Sequence, residues 1–243
     1  MKMLGKILKK AGVLMMAFSI LSLLGCNKVN EAAAKKVEAK LEEKYGEKFE
    51  VQALGNRFGT KENDTVTTVV KAEKSDVLFE AVMNKDGKLE RENFLVRKLG
   101  TEAGYVLEEK LRQEGIESKS NLFALGGKKI DEETSEIQLN EYIETHSPLK
   151  FAGIMVLEDN GNATPEKIAK VFKDAYEEFG ETTLQTDVLI VSSEDYDDAV
   201  KVFNENADVS QDWLEDFDIK SKFYIYLDKE GNESDNEEIL KNL

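Results

Sequence analysis

The first 26 residues constrain this chain more than any other segment. Four lysines lie within the first ten residues, and an uncharged, mostly apolar run follows over residues 11–24. This run is too short to span a bilayer as a mature helix. This pattern is typical of a secretory signal peptide. Cys26 follows directly and is the only cysteine of the sequence. Since a secreted domain with one cysteine forms no internal disulfide, its stability must come from a buried core.

The end of this segment carries a further motif. Leu23-Leu24-Gly25-Cys26 places an aliphatic residue three positions before the cysteine and a small residue just before it. It resembles the lipobox of bacterial lipoproteins. The resemblance implies a diacylglyceryl group on the Cys26 sulfur, cleavage after Gly25, and a mature chain anchored in the lipid bilayer on the extracytoplasmic face of the cell membrane. The alternative is an ordinary secretory signal in which Cys26 is a buried thiol.

The mature chain is strongly acidic. The full sequence has 33 basic and 49 acidic residues and a net charge of −16, and loss of the four signal-segment lysines takes this charge to −20. Because phosphates are neutralised by lysine and arginine, we expect no nucleic-acid partner and poor affinity for anionic headgroups. The simplest interpretation of this acidity is that it keeps the protein soluble. The alternative is that the negative charge attracts a cationic ligand. The excess of lysine over arginine, together with the lipobox, favours a low-GC Gram-positive source.

Hydrophobic spacing and turn residues predict the elements of the mature chain. Helices are predicted over residues 30–45, 101–113, 165–179 and 194–206. Strands are predicted over residues 49–53, 65–72, 77–83, 88–96, 121–125, 151–157, 184–191 and 222–227. The centre of residues 131–145 fits neither period well and is assigned to a strand.

These elements repeat one order, in which a helix ends at a glycine and a strand follows. The glycines are Gly46, Gly115 and Gly180. The order predicts an α+β fold of repeated helix plus antiparallel-sheet units, with helices packed on one sheet face. The predicted organisation is a signal peptide over 1–25, a lipidated tether over 26–29, a first unit over 30–98 and a second region over 99–243 with room for two further units.

Two further resemblances concern the first unit. Residues 45–51, 63–66 and 79–87 are similar to segments of uncharacterised Gram-positive surface lipoproteins, which imply no activity. The order of one helix, three strands and an Asp86-Gly87 turn resembles PepSY-type domains. That resemblance implies a regulator or inhibitor of an envelope peptidase.

The usual catalytic motifs are missing from the sequence. It contains no HExxH, GxSxG, P-loop or GxGxxG pattern, and His146 is its only histidine. We therefore predict no enzymatic activity and no cofactor. The favoured interpretation is a membrane-anchored, non-catalytic protein that binds a ligand or associates with the cell envelope. Its expected partner is an envelope protein or a cationic ligand.

A few residues stand out as candidates for binding. The best oxygen-rich loop for calcium contains Asp228, Glu230, Asn232 and Asp235. Its glycine is not at the sixth place that an EF-hand requires, so we predict no metal site and interpret the loop as a solvated helix cap or hairpin, with calcium binding as the alternative. Arg57, in a glycine-flanked loop, is a candidate for ligand binding, with a strand-end bend as the alternative. Trp213 is interpreted as a core anchor, and its alternative is a partner-binding aromatic side chain.

Overall fold

A computed structural model describes residues 28–55, 64–128 and 136–243. The chain divides into two compact units, each described by itself below. Of the described residues, those up to Leu95 together with Asn204–Asp208 form unit 1, and those within Val96–Phe203 and Val209–Leu243 form unit 2.

Unit 1 contains a helix followed by an antiparallel sheet. Its elements are α1 (Lys28–Tyr45), β1 (Phe49–Gly55), β2 (Thr65–Ala72), β3 (Leu78–Asn84) and β4 (Leu89–Glu92). The strands pair in the order β1-β2-β3-β4, and each neighbouring pair is antiparallel. Strand β2 alternates strictly between buried and half-buried positions, as expected when one face of a sheet is covered.

The core of unit 1 joins α1 to one face of this sheet. Val37 and Leu41 are fully buried and belong to the same cluster as Phe49, Phe79 and Phe94. The rings of Phe49 and Phe94 meet edge to face with their centroids 5.2 Å apart, an arrangement that aromatic pairs prefer.

Unit 2 contains a larger, mixed sheet. Its helices are α2 (Phe94–Gln113, whose first two residues belong to unit 1), α3 (Leu139–His146), α4 (Pro165–Glu178), α5 (Ser193–Glu205, whose last two residues belong to unit 1) and α6 (Glu237–Asn242). Its strands are β5 (Ser118–Leu125), β6 (Lys150–Asp159), β7 (Thr183–Ser192), β8 (Ile219–Leu227) and β9 (Asn232–Ser234). They pair in the order β5-β6-β7-β8-β9.

The strands β6 and β7 are parallel, whereas the other pairs of this sheet are antiparallel. The helix α4 connects them, because a parallel pair needs a long crossover that returns the chain to the same end of the sheet. Thr164 caps α4 and Pro165 occupies its first turn. Four helices, α2, α3, α4 and α6, contribute to one buried cluster with alternate residues of strands β5–β8.

The helix α2 lies directly on the edge strand β5. A methyl group added at Gly100 would meet the backbone of Leu122, so only a glycine permits this approach. Two buried side chains of α2 form hydrogen bonds with backbone groups on the outer edge of β5. Arg97 donates to the Leu122 carbonyl at 2.8 Å, and Glu108 accepts from the Ser120 N–H at 2.8 Å. These bonds satisfy backbone groups that an open edge would expose.

The predicted α+β class is confirmed, with helices packed against sheets. The expectation of purely antiparallel sheets is wrong for β6 and β7. The predicted strand 88–96 is too long, because the Glu92 carboxylate accepts the Phe94 N–H at 2.7 Å and α2 starts there. The strand assigned near the centre of 131–145 is also wrong where the structure describes it. Leu139 and Tyr142, three residues apart, are the buried positions of helix α3.

Candidate functional site

A surface cleft of 410 Å³ lies within unit 2. Its lining residues come from three separate segments of the chain: Ile143, Ser147, Pro148 and Leu149; Gly180, Glu181, Thr182 and Thr183; and Asp228, Lys229 and Glu230. Lys150 and Thr183, the first residues of β6 and β7, are paired in the sheet. The cleft therefore lies beside the amino ends of the two parallel strands.

The first wall is the turn that follows α3. Ser147 ends the helix in the left-handed region with a φ of 51°. Backbone bonds to the end of β5 hold this turn, since the Leu149 N–H donates to the Leu125 carbonyl at 2.9 Å and the Lys128 N–H donates to the His146 carbonyl at 2.7 Å. Leu149 itself is 70% exposed. This wall presents an apolar side chain to solvent on a fixed backbone.

The second wall is the end of α4. Gly180 and Glu181 both have positive φ, at 61° and 57°, and the Glu181 N–H donates to the Tyr176 carbonyl at 3.0 Å. A left-handed backbone costs a residue other than glycine about 1 kcal/mol. The fold therefore keeps a carboxylate at this wall in spite of a small conformational penalty.

The third wall is the turn between β8 and β9. The Asp228 carboxylate accepts the N–H groups of Glu230 at 2.8 Å and Gly231 at 2.9 Å. A hydrogen bond from the Tyr226 hydroxyl, together with these two backbone bonds, holds the pKa of Asp228 below its usual value. Asp228 is therefore firmly ionised at neutral pH.

The cleft has a negative electrostatic character. Among the described residues that line it, Glu181, Asp228 and Glu230 are acidic and Lys229 is basic. Burial, followed by the charges of Glu181 and Asp228, raises the pKa of the nearby Tyr176. Both carboxylates thus act on the same region, where a cation would be attracted and an anion repelled.

The four calcium candidates do not act together in the structure. Asp228 and Glu230 line the cleft, whereas the Asp235 carboxylate accepts the Tyr224 N–H at 2.8 Å and the Asn232 amide donates to the Leu243 carbonyl at 2.8 Å. Within residues 28–55, 64–128 and 136–243, no group of three or more acidic, histidine or cysteine side chains is placed to hold a metal ion. The loop is the β8–β9 hairpin, and the Asp228 and Asp235 carboxylates accept backbone N–H groups within it.

The other predicted residues lie away from this cleft or outside the described chain. Trp213 is 38% exposed on a short 3₁₀ helix, and Leu214 beside it is fully buried, so the interpretation of Trp213 as a core anchor is wrong. His146 lies in α3 with its Nδ1 atom 2.7 Å from the Thr145 hydroxyl. Cys26 and Arg57 lie outside the described residues. In the part of the chain that is described, no helix combines the length and hydrophobicity needed to cross a bilayer.

No sequence signal points to Glu181 or Leu149. Neither residue belongs to a motif, and each becomes a lining residue only because the ends of α3 and α4 meet the β8–β9 turn. The glycine that ends α4 was predicted, but no sequence signal shows that the next residue would face a cleft.

Comparisons with known proteins show a likeness of fold. No protein-family model and no curated protein matches the chain. A crystal structure of a DUF5037 family protein from Ruminococcus gnavus is similar, with a TM-score of 0.59 and 16% sequence identity. The match covers 86% of this chain and 97% of that chain. The likeness therefore extends over nearly the whole of the neighbouring protein.

Proposed function

We propose that this chain is a lipid-anchored extracytoplasmic protein that binds a cationic ligand in the cleft of unit 2 without catalysing a reaction. The observation that carries the proposal is the convergence of Glu181, Asp228 and Glu230 around one cleft. The exposed Leu149 beside them favours a ligand with both a positive and an apolar group, such as a basic peptide.

The state of Asp228 supports binding rather than catalysis. A general acid or base works best when its pKa lies near the working pH. The hydrogen bonds to Asp228 move its pKa in the opposite direction, away from neutrality. A carboxylate that is ionised at neutral pH attracts a cation, and a lowered pKa matches it poorly to proton transfer at that pH.

The anchor is tested by fractionation and mass spectrometry of the amino terminus, with Cys26→Ala as the comparison. We expect the wild-type protein to begin at a diacylglyceryl-modified Cys26 and to partition with membranes, and the variant to lack the modification. An unmodified wild-type protein released into the medium would contradict the proposed localisation.

The ligand class is tested by calorimetric titration of the full mature protein with a short lysine-leucine peptide and with the matching glutamate-leucine peptide. We expect binding of the first peptide alone. Glu181→Gln combined with Glu230→Gln should weaken binding, because two of the three negative charges are lost. The matched control is Glu42→Gln with Glu73→Gln, since both residues are exposed in unit 1. Equal affinity in the two double variants would exclude the cleft as the binding site.

The order of elements in unit 1 supports a second proposal, a regulator of an envelope peptidase. Helix α1 precedes three antiparallel strands, and a turn containing Asp86 and Gly87 follows β3. Comparing peptidase activity in membranes from cells with and without the protein tests this role. An unchanged activity would rule it out.

A further inference from the structure

The loop between β6 and α4 contains the only Asn-Gly pair of the sequence, Asn160-Gly161. Both residues are exposed, and the loop lies at the opposite end of β6 from the cleft. Glycine has no side chain that could hinder access to its own backbone nitrogen. The side-chain amide of an asparagine before a glycine is therefore open to attack by that nitrogen.

The loop holds the Asn160 side chain in an Asx turn. Its Oδ1 atom accepts the Asn162 N–H at 3.0 Å, two residues further along the chain. An Asx turn brings the side-chain carbonyl carbon close to the backbone nitrogen of the following residue, here Gly161. The Asn162 N–H also stabilises the negative charge that develops on Oδ1 when this carbon is attacked, as donors do in an oxyanion hole.

The Gly161 nitrogen is available for this attack. Its N–H has no hydrogen-bond partner among the described residues, and a Cβ atom built at Gly161 would meet nothing within 4 Å. In the described part of the chain, no neighbouring group therefore obstructs a ring closed between Gly161 and Asn160. Holding two reacting atoms together in this way lowers the barrier of an intramolecular reaction.

The amide nitrogen that would leave also connects the loop to the residues just after α2. The Asn160 Nδ2 atom donates to the Gly115 carbonyl at 3.0 Å and lies 3.5 Å from a Glu158 carboxylate oxygen. A carboxylate at this position could not donate, and both of these oxygen groups would repel it. The Asn162 amide keeps its own bond to the Gly115 carbonyl at 3.0 Å, so loss of the Asn160 bond loosens the loop without detaching it.

We infer that Asn160 is a site of spontaneous deamidation in the folded protein, and that the reaction loosens the β6–α4 loop from Gly115. The Gly161 nitrogen forms a bond to the Asn160 side-chain carbon, and its proton passes through solvent to Nδ2. The bond between that carbon and Nδ2 then breaks, and ammonia leaves. Water opens the resulting succinimide at either carbonyl group, which gives aspartate or isoaspartate. The net reaction consumes water and releases ammonia.

Ageing of the purified mature protein in water labelled with heavy oxygen tests the site, with peptide mass spectrometry as the readout. We expect label at residue 160, in aspartate and isoaspartate, before any other asparagine reacts. Asn232 is the internal control, because it is exposed and its amide also donates to a carbonyl, that of Leu243 at 2.8 Å, but a glutamate follows it. An Asn160 amide that survives as long as the Asn232 amide would overturn the inference.

Two substitutions at Asn162 test the contribution of the folded loop. Asn162→Ala keeps the backbone N–H that bonds Oδ1, whereas Asn162→Pro removes it. Both variants lose the same side-chain bond to Gly115. Asn160 should deamidate about tenfold more slowly in the proline variant than in the alanine variant, because the donor to the developing charge is missing. Equal rates in the two variants would contradict a role of the Asx turn in the reaction.

Asn160→Asp reproduces one product and tests the structural consequence. Loss of the bond to Gly115 should speed amide hydrogen exchange of residues 158–164, measured by mass spectrometry. Asn232→Asp changes the net charge equally and should leave exchange of these residues unchanged. If Asn160→Asp exchanges at the wild-type rate, the proposed loosening of the loop is wrong.

Discussion

The contact between α2 and β5 leads to a sharp prediction about two glycines of one helix. A Cβ atom at Gly100 would lie 2.5 Å from the carbonyl carbon of Leu122 and 2.6 Å from the Cα atom of Phe123, which are both backbone atoms. At Gly104 the nearest atoms belong to the Ser120 side chain, whose Cβ atom would be 3.3 Å away. One substitution must move a strand, whereas the other must move a hydroxyl group.

The two energies follow from this difference. Alanine gains about 1 kcal/mol of helix propensity at either position. Overpacking that moves backbone costs about 3 kcal/mol, so Gly100→Ala should destabilise unit 2 by about 2 kcal/mol. Gly104→Ala loses about 1 kcal/mol when the Ser120 hydroxyl leaves Glu108, so its net change should be close to zero.

Urea denaturation measures both changes in the free energy of unfolding, and the fluorescence of Trp213 reports on unit 2. Gly231→Ala is the control, because a Cβ atom there meets nothing within 4 Å. If Gly100→Ala unfolds at the same urea concentration as the wild type, the close approach of α2 to β5 is wrong.

Three other substitutions test separate features of unit 2. Thr186 is fully buried, and its hydroxyl has no hydrogen-bond partner among the described residues. Thr186→Val should therefore raise the free energy of unfolding by about 1 kcal/mol. A lower stability of the variant in urea would show that the Thr186 hydroxyl does form a hydrogen bond in the folded protein. Glu108→Ala should cost about 3 kcal/mol in the same assay, because the N–H of Ser120 then has no acceptor, whereas Glu109→Ala on the exposed side should cost little. Burial raises the pKa of Glu102 against the opposing effects of Lys98 and the Leu139 N–H, so the folded protein binds the proton more tightly than the unfolded chain. The wild-type protein therefore has the full stability from this group below pH 4.5 and loses it as the pH rises through the folded pKa. Glu102→Gln does not titrate, so its free energy of unfolding should increase relative to that of the wild type over this pH range. A difference that is constant with pH would contradict the raised pKa.

The cleft could not be assembled from the sequence. Its walls come from residues 143–149, 180–183 and 228–230, and each segment alone is an ordinary turn. The sequence marks the acids at 228 and 230 only as calcium candidates beside a solvated hairpin, because their spacing does not show which residues surround them in the fold. Glu181 had no signal at all, since its exposure to the cleft depends on where the β8–β9 turn lies.

Signals between residues that are close in the sequence were sufficient to predict most helices and strands. The helix cap at Thr164-Pro165 and the terminating Gly180 define α4, and the alternation of residues 65–72 defines β2, because these preferences depend on nearby backbone geometry. Gly100 shows the opposite case. A glycine lowers helix propensity, so the sequence predicts a helix that starts after it, yet α2 runs through it from Phe94 because close packing on β5 compensates for the lost propensity.

The amino-acid sequence by itself therefore determined the lone cysteine, the charge and the α+β class, and it predicts a signal segment. The tertiary structure alone decided that β6 and β7 are parallel, that α2 covers the edge of β5, and that three distant turns form an acidic cleft. The physical reason is the range of the interactions. Periodicity and capping act between neighbours in the chain, whereas strand pairing and cleft formation depend on contacts between residues tens of positions apart.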